Sequence, residues 1–162
     1  MRSVDGVDDA APLLQAVTLP ASQLEDWEFS FAFGNYGGAV LFGLDPEASG
    51  RIGHYTLAAG EDLRPADENG ILLTESYADE LNLGLGDTLE LVAPAGRAPF
   101  TLVGLLASDG LGRLNGGQVG VTTLAAVRSA FGRSGDCGWA EALGPLGPVS
   151  YTHLTLPTTP YV

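Results

Sequence analysis

The stretch that most resembles a chemical motif is Gly84-Leu85-Gly86-Asp87. A glycine-rich loop could cradle a phosphate, because glycine lets backbone N–H groups approach the anion closely. A P-loop also requires a lysine that reaches the outer phosphates, and the chain contains no lysine. A dinucleotide-binding loop lies between a strand and a helix, whereas here a predicted helix precedes the glycines and a predicted strand follows. The pattern therefore favours a structural turn, in which Gly86 takes a positive φ or a tight-turn conformation.

A second glycine-rich stretch, GLGRLNGG, runs from Gly110 to Gly117. It lacks the third glycine of the dinucleotide fingerprint at the required spacing, and no predicted helix follows it at once. We therefore predict a mobile loop at this stretch and no cofactor for the protein.

Residues for nucleophilic or metal chemistry are scarce. A serine or cysteine nucleophile needs a base beside it, usually histidine, and the only histidine outside the C-terminal tail is His54. No G-x-S-x-G motif is present. The single cysteine, Cys137, allows neither an internal disulfide nor a cysteine-rich metal site. We predict no catalytic residue, no cofactor-binding residue and no metal ligand.

Paired acids are the remaining candidates for chemistry, since two carboxylates can act as the acid and the base of glycoside hydrolysis. The groups are Glu25/Asp26/Glu28, Glu61/Asp62, Asp67/Glu68 and Asp79/Glu80. They fall in predicted turns or on solvent-facing helix positions, so a solvated surface is the favoured interpretation. A carboxylate-dependent hydrolase would require two of them to converge in a cleft.

The composition is that of a globular domain, with 162 residues of which 45% are hydrophobic and 17% are charged. All seven basic residues are arginines, and the net charge of −13 repels phosphate backbones and anionic lipid. Nucleic acid is therefore not a predicted partner. No apolar run reaches the roughly 18–20 residues that cross a bilayer, so the chain as given is predicted to be soluble.

Several short strands are predicted from apolar runs and from alternation with a period of two. They are a strand bracketed by Pro12 and Pro20, the stretch EDWEFSFAF at 25–33, and the runs 39–44, 71–73, 88–93, 100–107 and 118–121. Residues 94–99 form the predicted loop of a hairpin. An aromatic row lies on one face of 25–33, either as a buried strand face or as a partner surface. Its members are Trp27, Phe29, Phe31 and Phe33.

Two short helices are predicted among the strands. The first is capped by Thr74, presents Tyr77, Ala78 and Leu81 on one face, and ends at Gly84 in the left-handed conformation. The second is capped by Thr122 or Thr123 and stopped by Gly132. Its apolar face consists of Leu124, Val127 and Phe131. The predicted fold class is therefore α+β, a mixed β-sheet of short strands with two short helices.

The C-terminal tail has a different character. The string VSYTHLTLPT, residues 149–158, resembles the translation of an adapter used in transposon-based sequencing libraries. In one reading frame, GTC TCT TAT ACA CAT CTG ACG CTG CCG ACG encodes this string. We therefore expect residues 149–162 to be adapter-derived, which also sets His153 aside, and we expect the chain to be a fragment of a longer protein.

The segment GILLTESYADELNLGLGDTLELVAPAGRAPFTLVGLLASDG, with VLFGLDP before it and VGVTTLAAVRSAFG after it, carries a family pattern. In order, these segments resemble the extracytoplasmic domain of MacB/FtsX-type ABC transporter permeases, a group that includes LolC and LolE. The resemblance covers residues 4–135 with gaps. Asn82 stands where a glycine is common in the family, and CGWAEALGP replaces the strand expected after the second helix. The positions that mark the family are Gly70, Leu81, Gly84, Gly86, Asp87, Phe100 and Gly104.

The resemblance implies a MacB periplasmic core-like fold without enzymatic activity. Residues 1–136 would form the extracytoplasmic domain, residues 137–148 would be of uncertain origin, and the tail would be foreign. Such a domain lies between the first two membrane spans of a four-span permease at the cell membrane. Its expected partners are a second permease subunit, a cytoplasmic ATPase and, in some members, a periplasmic or cell-wall protein. The alternative is a free-standing soluble binding or adaptor module with a small mixed β-barrel.

Overall fold

The computed structural model describes residues 9–24, 38–48, 55–94, 96–131, 139–144 and 147–151. Its strands are β1 (Asp9–Thr18), β2 (Ala39–Leu44), β3 (Leu57–Gly60), β4 (Gly70–Thr74), β5 (Thr88–Ala93), β6 (Gly96–Leu106), β7 (Val119–Thr123), β8 (Trp139–Gly144) and β9 (Gly147–Tyr151). Two α-helices, α1 (Glu75–Glu80) and α2 (Leu124–Phe131), and two 3-10 segments, Ala21–Gln23 and Gly110–Gly117, complete the described elements. No helix in the described ranges is both long and apolar enough to cross a membrane.

The strands form one mixed sheet in the order β3-β6-β4-β7-β2-β1-β8-β9, with β5 also paired to β6. Two neighbouring pairs are parallel, β2 with β7 and β4 with β6, and the other pairs are antiparallel. The predicted fold class is confirmed: the chain is an α+β domain built on a mixed sheet of short strands with short helices.

The sheet curls until β5 meets the end of β1. The N–H of Val92 donates to the Leu19 carbonyl at 2.9 Å, and the Thr18 hydroxyl donates to the Val92 carbonyl at 2.7 Å. An isolated bridge joins Pro20 to Leu91. These contacts close β1, β2, β7, β4, β6 and β5 into a small barrel, which removes most of the free strand edges that such a sheet would otherwise expose.

Buried apolar side chains lie on both faces of the central strands. Inside the barrel, a first cluster includes Leu41, Ile71 and Leu102, and both α-helices pack against it. On the opposite face, a second cluster includes Phe42 and Leu72. Because β4 is buried along its whole length, its sequence shows an apolar run, Ile71–Leu73, rather than alternation.

The two helices begin and pack as the sequence predicts. The Thr74 hydroxyl accepts from the N–H of Tyr77 at 3.3 Å at the start of α1. The Thr123 hydroxyl accepts from Ala126 at 3.2 Å at the start of α2, whereas the Thr122 hydroxyl donates to the Gly70 carbonyl at 2.6 Å. Thr123 is therefore the cap of α2. The buried helix residues are Tyr77, Ala78, Leu124, Ala126, Val127 and Phe131.

The prediction of a loop at Gly110–Gly117 was wrong, whereas the predicted mobility of this stretch stays a prediction. The stretch forms a 3-10 segment with a kink, in which Leu111 and Gly112 are buried. Leu111 packs into the second cluster, and the Asn115 side chain donates to the Gly38 carbonyl at 2.7 Å. A leucine anchor and a side-chain hydrogen bond therefore hold a segment whose glycine content indicated mobility.

Two strand boundaries and one hairpin also differ from the predictions. Pro12 lies within β1 rather than before it, and β6 begins at Gly96, so only Pro94 and Ala95 separate β5 from β6. Residues 139–144 and 147–151 form a hairpin that pairs with the first half of β1, where no element was predicted. Backbone pairing with a distant strand is the reason, since it needs no local pattern. The predicted strand at 25–33 and its aromatic row lie outside the described residues.

Candidate functional site

The glycine turn is built from its own hydrogen-bonding groups. The N–H of Gly84 donates to the Asp87 Oδ2 at 2.8 Å, and the N–H of Asp87 donates to the Gly84 carbonyl at 3.1 Å. Gly86 has a φ of +90°, a conformation that residues with a Cβ rarely adopt. The predicted positive φ of Gly86 is therefore confirmed.

The same turn is tied to strand β6. The N–H of Gly86 donates to the Leu102 carbonyl at 2.8 Å, and the N–H of Leu102 donates to the Asp87 carbonyl at 2.9 Å. The N–H groups of Gly84, Gly86 and Asp87 are thus all engaged within the protein, and none is left to bind a phosphate oxygen. The stretch is a structural joint.

The prediction that Gly84 ends the first helix in the left-handed conformation was wrong. The left-handed residue is Asn82, with a φ of 54°. The N–H of Leu83 donates to the Ala78 carbonyl at 2.9 Å, which closes the helix end two residues before Gly84. Asparagine tolerates this conformation better than most residues with a side chain, so it can occupy this position.

The other family-marker positions lie around the sheet. Gly70 opens β4, where a Cβ would lie 3.3 Å from the Cβ of Asp67. Phe100 is buried on β6 opposite Leu89 of β5. Leu81 ends α1 and packs against the first cluster. Gly104 lies where β6 passes β3 so closely that an added Cβ would overlap the Glu61 carbonyl oxygen. These positions support packing and do not meet at one site.

The described acidic pairs serve turns or face solvent. The Asp62 carboxylate accepts from the Leu63 N–H at 2.8 Å, and the Asp67 carboxylate accepts from the Arg64 N–H at 2.8 Å. Glu61, Asp62, Glu68, Asp79 and Glu80 are exposed. Within the described ranges, no three His, Cys, Asp or Glu side chains are placed to hold a metal ion. Glu25, Asp26, Glu28, His54, Cys137 and His153 lie outside those ranges.

Two tyrosines have raised pKa values for structural reasons. Burial raises the pKa of Tyr55, and the hydrogen bond from its hydroxyl to Asp62 Oδ1 at 2.6 Å and the Asp62 charge raise it further. Burial also raises the pKa of Tyr77, and the charge of Glu80 adds to this effect. Both phenols therefore stay protonated at neutral pH and neither can serve as a general base there.

Within the described part of the chain, a concave surface lies beside the glycine turn. It is a groove of about 580 Å³ between the first 3-10 segment, the end of α1 and the start of β5. Its lining residues are Ala21, Ser22, Leu81, Leu83, Thr88, Leu89, Glu90 and Arg97. Sequence reasoning did not identify this groove, because its walls come from segments far apart in the chain. The only local signal is the polar–apolar alternation from Thr88 to Leu91.

The barrel with its two helices has a fold that is also found in the extracytoplasmic domains of two ABC-type transporters. The extracellular domain of the noncanonic ABC-type transporter YknZ from Gram-positive bacteria matches with a TM-score of 0.54 and 13% sequence identity, over 81% of this chain and 62% of that one. The periplasmic region of MacB from Actinobacillus actinomycetemcomitans matches with a TM-score of 0.52 and 16% identity, over 88% of this chain and 57% of that one. At these identities the likeness establishes the fold, and the chain spans less than two thirds of either domain.

Comparisons of sequence alone give no match. No protein-family model and no curated protein matches this chain.

Proposed function

We propose that this chain is the extracytoplasmic domain of an ABC transporter permease subunit, acting without catalysis of its own. The observation that carries the proposal is the fold shared with two extracytoplasmic transporter domains. The ordered family motifs support it, since they fall on consecutive elements from β2 to α2.

In this function the domain transmits motion. ATP-driven closure of two permease subunits at the membrane moves their external domains against each other, and that movement extracts or extrudes a substrate or acts on a periplasmic or cell-wall partner. A rigid domain suits this task, because a closed barrel with two buried clusters moves as one body rather than deforming.

Side-chain accessibility in the parent protein tests the location. Ser129 is exposed on α2, so a Ser129→Cys variant, with the native cysteine replaced, offers a small reporter. In intact cells that express the parent protein, a membrane-impermeant maleimide is expected to label this cysteine as strongly as after permeabilisation. Labelling only after permeabilisation would place the domain in the cytoplasm and refute the proposal.

The sequence that flanks the domain in its parent gene tests the assignment to a permease. We expect four hydrophobic spans of about 20 residues each, one before this domain and three after it, with an ATPase gene or domain nearby. An intact soluble reading frame that ends close to residue 150 would instead favour a free-standing binding or adaptor module.

We also propose that the functional domain ends near residue 136. The β8–β9 hairpin contains the first residues of the adapter-like string, Val149–Tyr151. Among the described strands it pairs only with the first half of β1 and within itself. A chain that stops at residue 136 should unfold cooperatively, with a urea midpoint close to that of the full chain. Loss of cooperative unfolding would show that the hairpin is an integral part of the domain.

A further inference from the structure

Two asparagines of this chain are each followed directly by glycine, Asn69 before Gly70 and Asn115 before Gly116. An asparagine can lose its side-chain amide when the backbone nitrogen of the next residue attacks the side-chain carbonyl carbon, Cγ. Glycine favours this attack, because it has no Cβ to hinder the approach and adopts more backbone conformations than other residues. Ring closure also requires rotation about the Cα–C bond of the asparagine, so the surrounding structure decides whether the reaction can occur.

The Asn69–Gly70 pair is held in the sheet. The Asn69 carbonyl accepts from the N–H of Thr101 at 2.8 Å, and the Gly70 carbonyl accepts from the Thr122 hydroxyl at 2.6 Å. Gly70 is buried at the start of β4, which lies between β6 and β7. Rotation at Asn69 would break these hydrogen bonds and separate a central strand from its neighbours, which requires much of the free energy of global unfolding.

The Asn115–Gly116 pair lies instead at the kink of the second 3-10 segment. Asn115 has a φ of 49° and a ψ of 37°, and both residues of the pair are exposed. Nothing lies within 4 Å of the position that a Cβ of Gly116 would take. The segment is anchored by buried Leu111 before the pair and by the Gly117 carbonyl after it, which accepts from the Thr74 hydroxyl. Rotation at Asn115 displaces surface residues between these anchors, so it costs less free energy than the opening of β4.

The side chain of Asn115 ties the segment to the start of β2. Its Nδ2 donates to the Gly38 carbonyl at 2.7 Å and to the Gln118 carbonyl at 3.2 Å. The Gln118 carbonyl also accepts from the N–H of Val40 at 3.0 Å. A carboxylate in place of the amide can only accept hydrogen bonds, so it would face two carbonyl oxygens without a proton to donate. Loss of the amide therefore removes the contact with Gly38 and brings a negative charge to the first residues of β2.

We propose that Asn115 is a site of spontaneous deamidation and that Asn69 is spared in the folded domain. The Gly116 nitrogen forms a bond to Cγ of Asn115, the Cγ–Nδ2 bond breaks, and ammonia leaves with the proton of the Gly116 N–H. Water then opens the resulting succinimide ring. Attack of water at Cγ gives aspartate, and attack at the backbone carbonyl carbon gives isoaspartate, whose main chain runs through the former side chain.

Both products carry a carboxylate, so both release the second 3-10 segment from the Gly38 carbonyl. The modification changes the net charge of the chain by one unit in the negative direction. The chemistry depends only on Asn115, Gly116 and water. It does not rest on the transport function, so the two proposals can fail separately.

Mass spectrometry of the aged full chain tests the proposal. The purified protein is incubated at mildly alkaline pH and physiological temperature and is then digested. Trypsin cleavage after Arg113 and Arg128 releases a peptide whose only asparagine is Asn115, and fragmentation of a second peptide assigns Asn69. Each conversion replaces NH2 by OH and is read as a gain in mass over a sample digested at time zero. We expect Asn115 to convert faster than Asn69 by about tenfold, which corresponds to about 1.4 kcal/mol in opening free energy, and to give both aspartate and isoaspartate.

Unfolding the chain provides the control. In concentrated urea the two Asn–Gly pairs lose their different surroundings, so their rates should agree within about twofold. Equally close rates of Asn115 and Asn69 in the folded protein would overturn the proposal. An unconverted Asn115 in the folded protein, after a time that converts it fully in urea, would also overturn it. Aspartate formed without isoaspartate would exclude the succinimide route.

Two variants of equal charge test the release of the segment. Asn115→Asp removes the donor to the Gly38 carbonyl, whereas Asn69→Asp adds the same charge and leaves this contact in place. We expect the amide hydrogen of Val40, which is bonded to the Gln118 carbonyl, to exchange several-fold faster in Asn115→Asp and at an unchanged rate in Asn69→Asp. Unchanged exchange in both variants would mean that the Asn115 amide does not hold the segment, and the proposed release would be wrong.

Discussion

Replacement of Gly104 by alanine tests how tightly β6 passes β3. An added Cβ would overlap the carbonyl oxygen of Glu61 and would lie 2.8 Å from Leu72 Cδ2 and 2.9 Å from Leu57 Cδ1. The backbone oxygen can yield only if β3 shifts, and Leu72 is fully buried in the second cluster. The substitution therefore adds volume where neither neighbour can move freely. We expect Gly104→Ala to lower the free energy of unfolding by about 3 kcal/mol, in the upper part of the range for overpacked cores.

Gly86→Ala is the matched control. Gly86 has a positive φ, but nothing lies within 4 Å of its added Cβ. Gly86→Ala should therefore lower the free energy of unfolding only through backbone strain at the positive φ, by about 1 kcal/mol. For a domain of this size the corresponding falls in melting temperature are about 6–12 °C for Gly104→Ala and about 2–4 °C for Gly86→Ala. The same methyl group is thus expected to have clearly different effects at two glycines of one family pattern.

Urea unfolding and amide hydrogen exchange provide the measurements. If β3 is displaced, the N–H of Glu61, which donates to the Val103 carbonyl at 2.9 Å, should lose protection in Gly104→Ala and keep it in Gly86→Ala. Equal stability of the two variants, together with unchanged protection of Glu61, would refute the close approach of β3 to β6.

Three further predictions concern α1 and the two tyrosines with raised pKa values. Thr74→Val should lower the free energy of unfolding by about 2 kcal/mol in urea titrations. The variant loses the hydroxyl that caps α1 and that also donates to the Gly117 carbonyl in the second 3-10 segment. Thr74→Ser keeps the hydroxyl and should recover most of this loss. Residue 82 has a left-handed φ, so Asn82→Gly should raise the melting temperature and Asn82→Ala should lower it. Each change should correspond to at most about 1 kcal/mol in the free energy of unfolding. A higher melting temperature for Asn82→Ala would contradict the helix end described above. The pKa values of Tyr55 and Tyr77 are raised in the folded state, so stability should be constant up to about pH 10, the ordinary tyrosine pKa, and should fall above it as the unfolded chain loses these protons first. Urea midpoints between pH 8 and 11 test this sign, and the double phenylalanine variant should show a smaller fall.

Local features could be predicted from the sequence because neighbouring residues decide them. The cap at Thr74 depends on a hydroxyl that accepts from the N–H of Tyr77, only three residues further along the chain. The turn at Gly86 depends on one residue without a Cβ, and the β5–β6 hairpin depends on two apolar segments close in the chain. The errors have the same origin. Gly84 was given the left-handed position that Asn82 occupies, since both residues can adopt it. The 3-10 segment was predicted to be a loop because its anchor, Leu111, packs into a cluster of residues that are distant in the chain.

The sequence by itself therefore determined the local elements, the acidic character of the surface and the family pattern. Only the tertiary structure decided that β2 lies parallel to β7, with Val40 beside Val119, and that β5 returns to the end of β1. Such pairings depend on the fit between segments far apart in the chain, for which no short pattern exists.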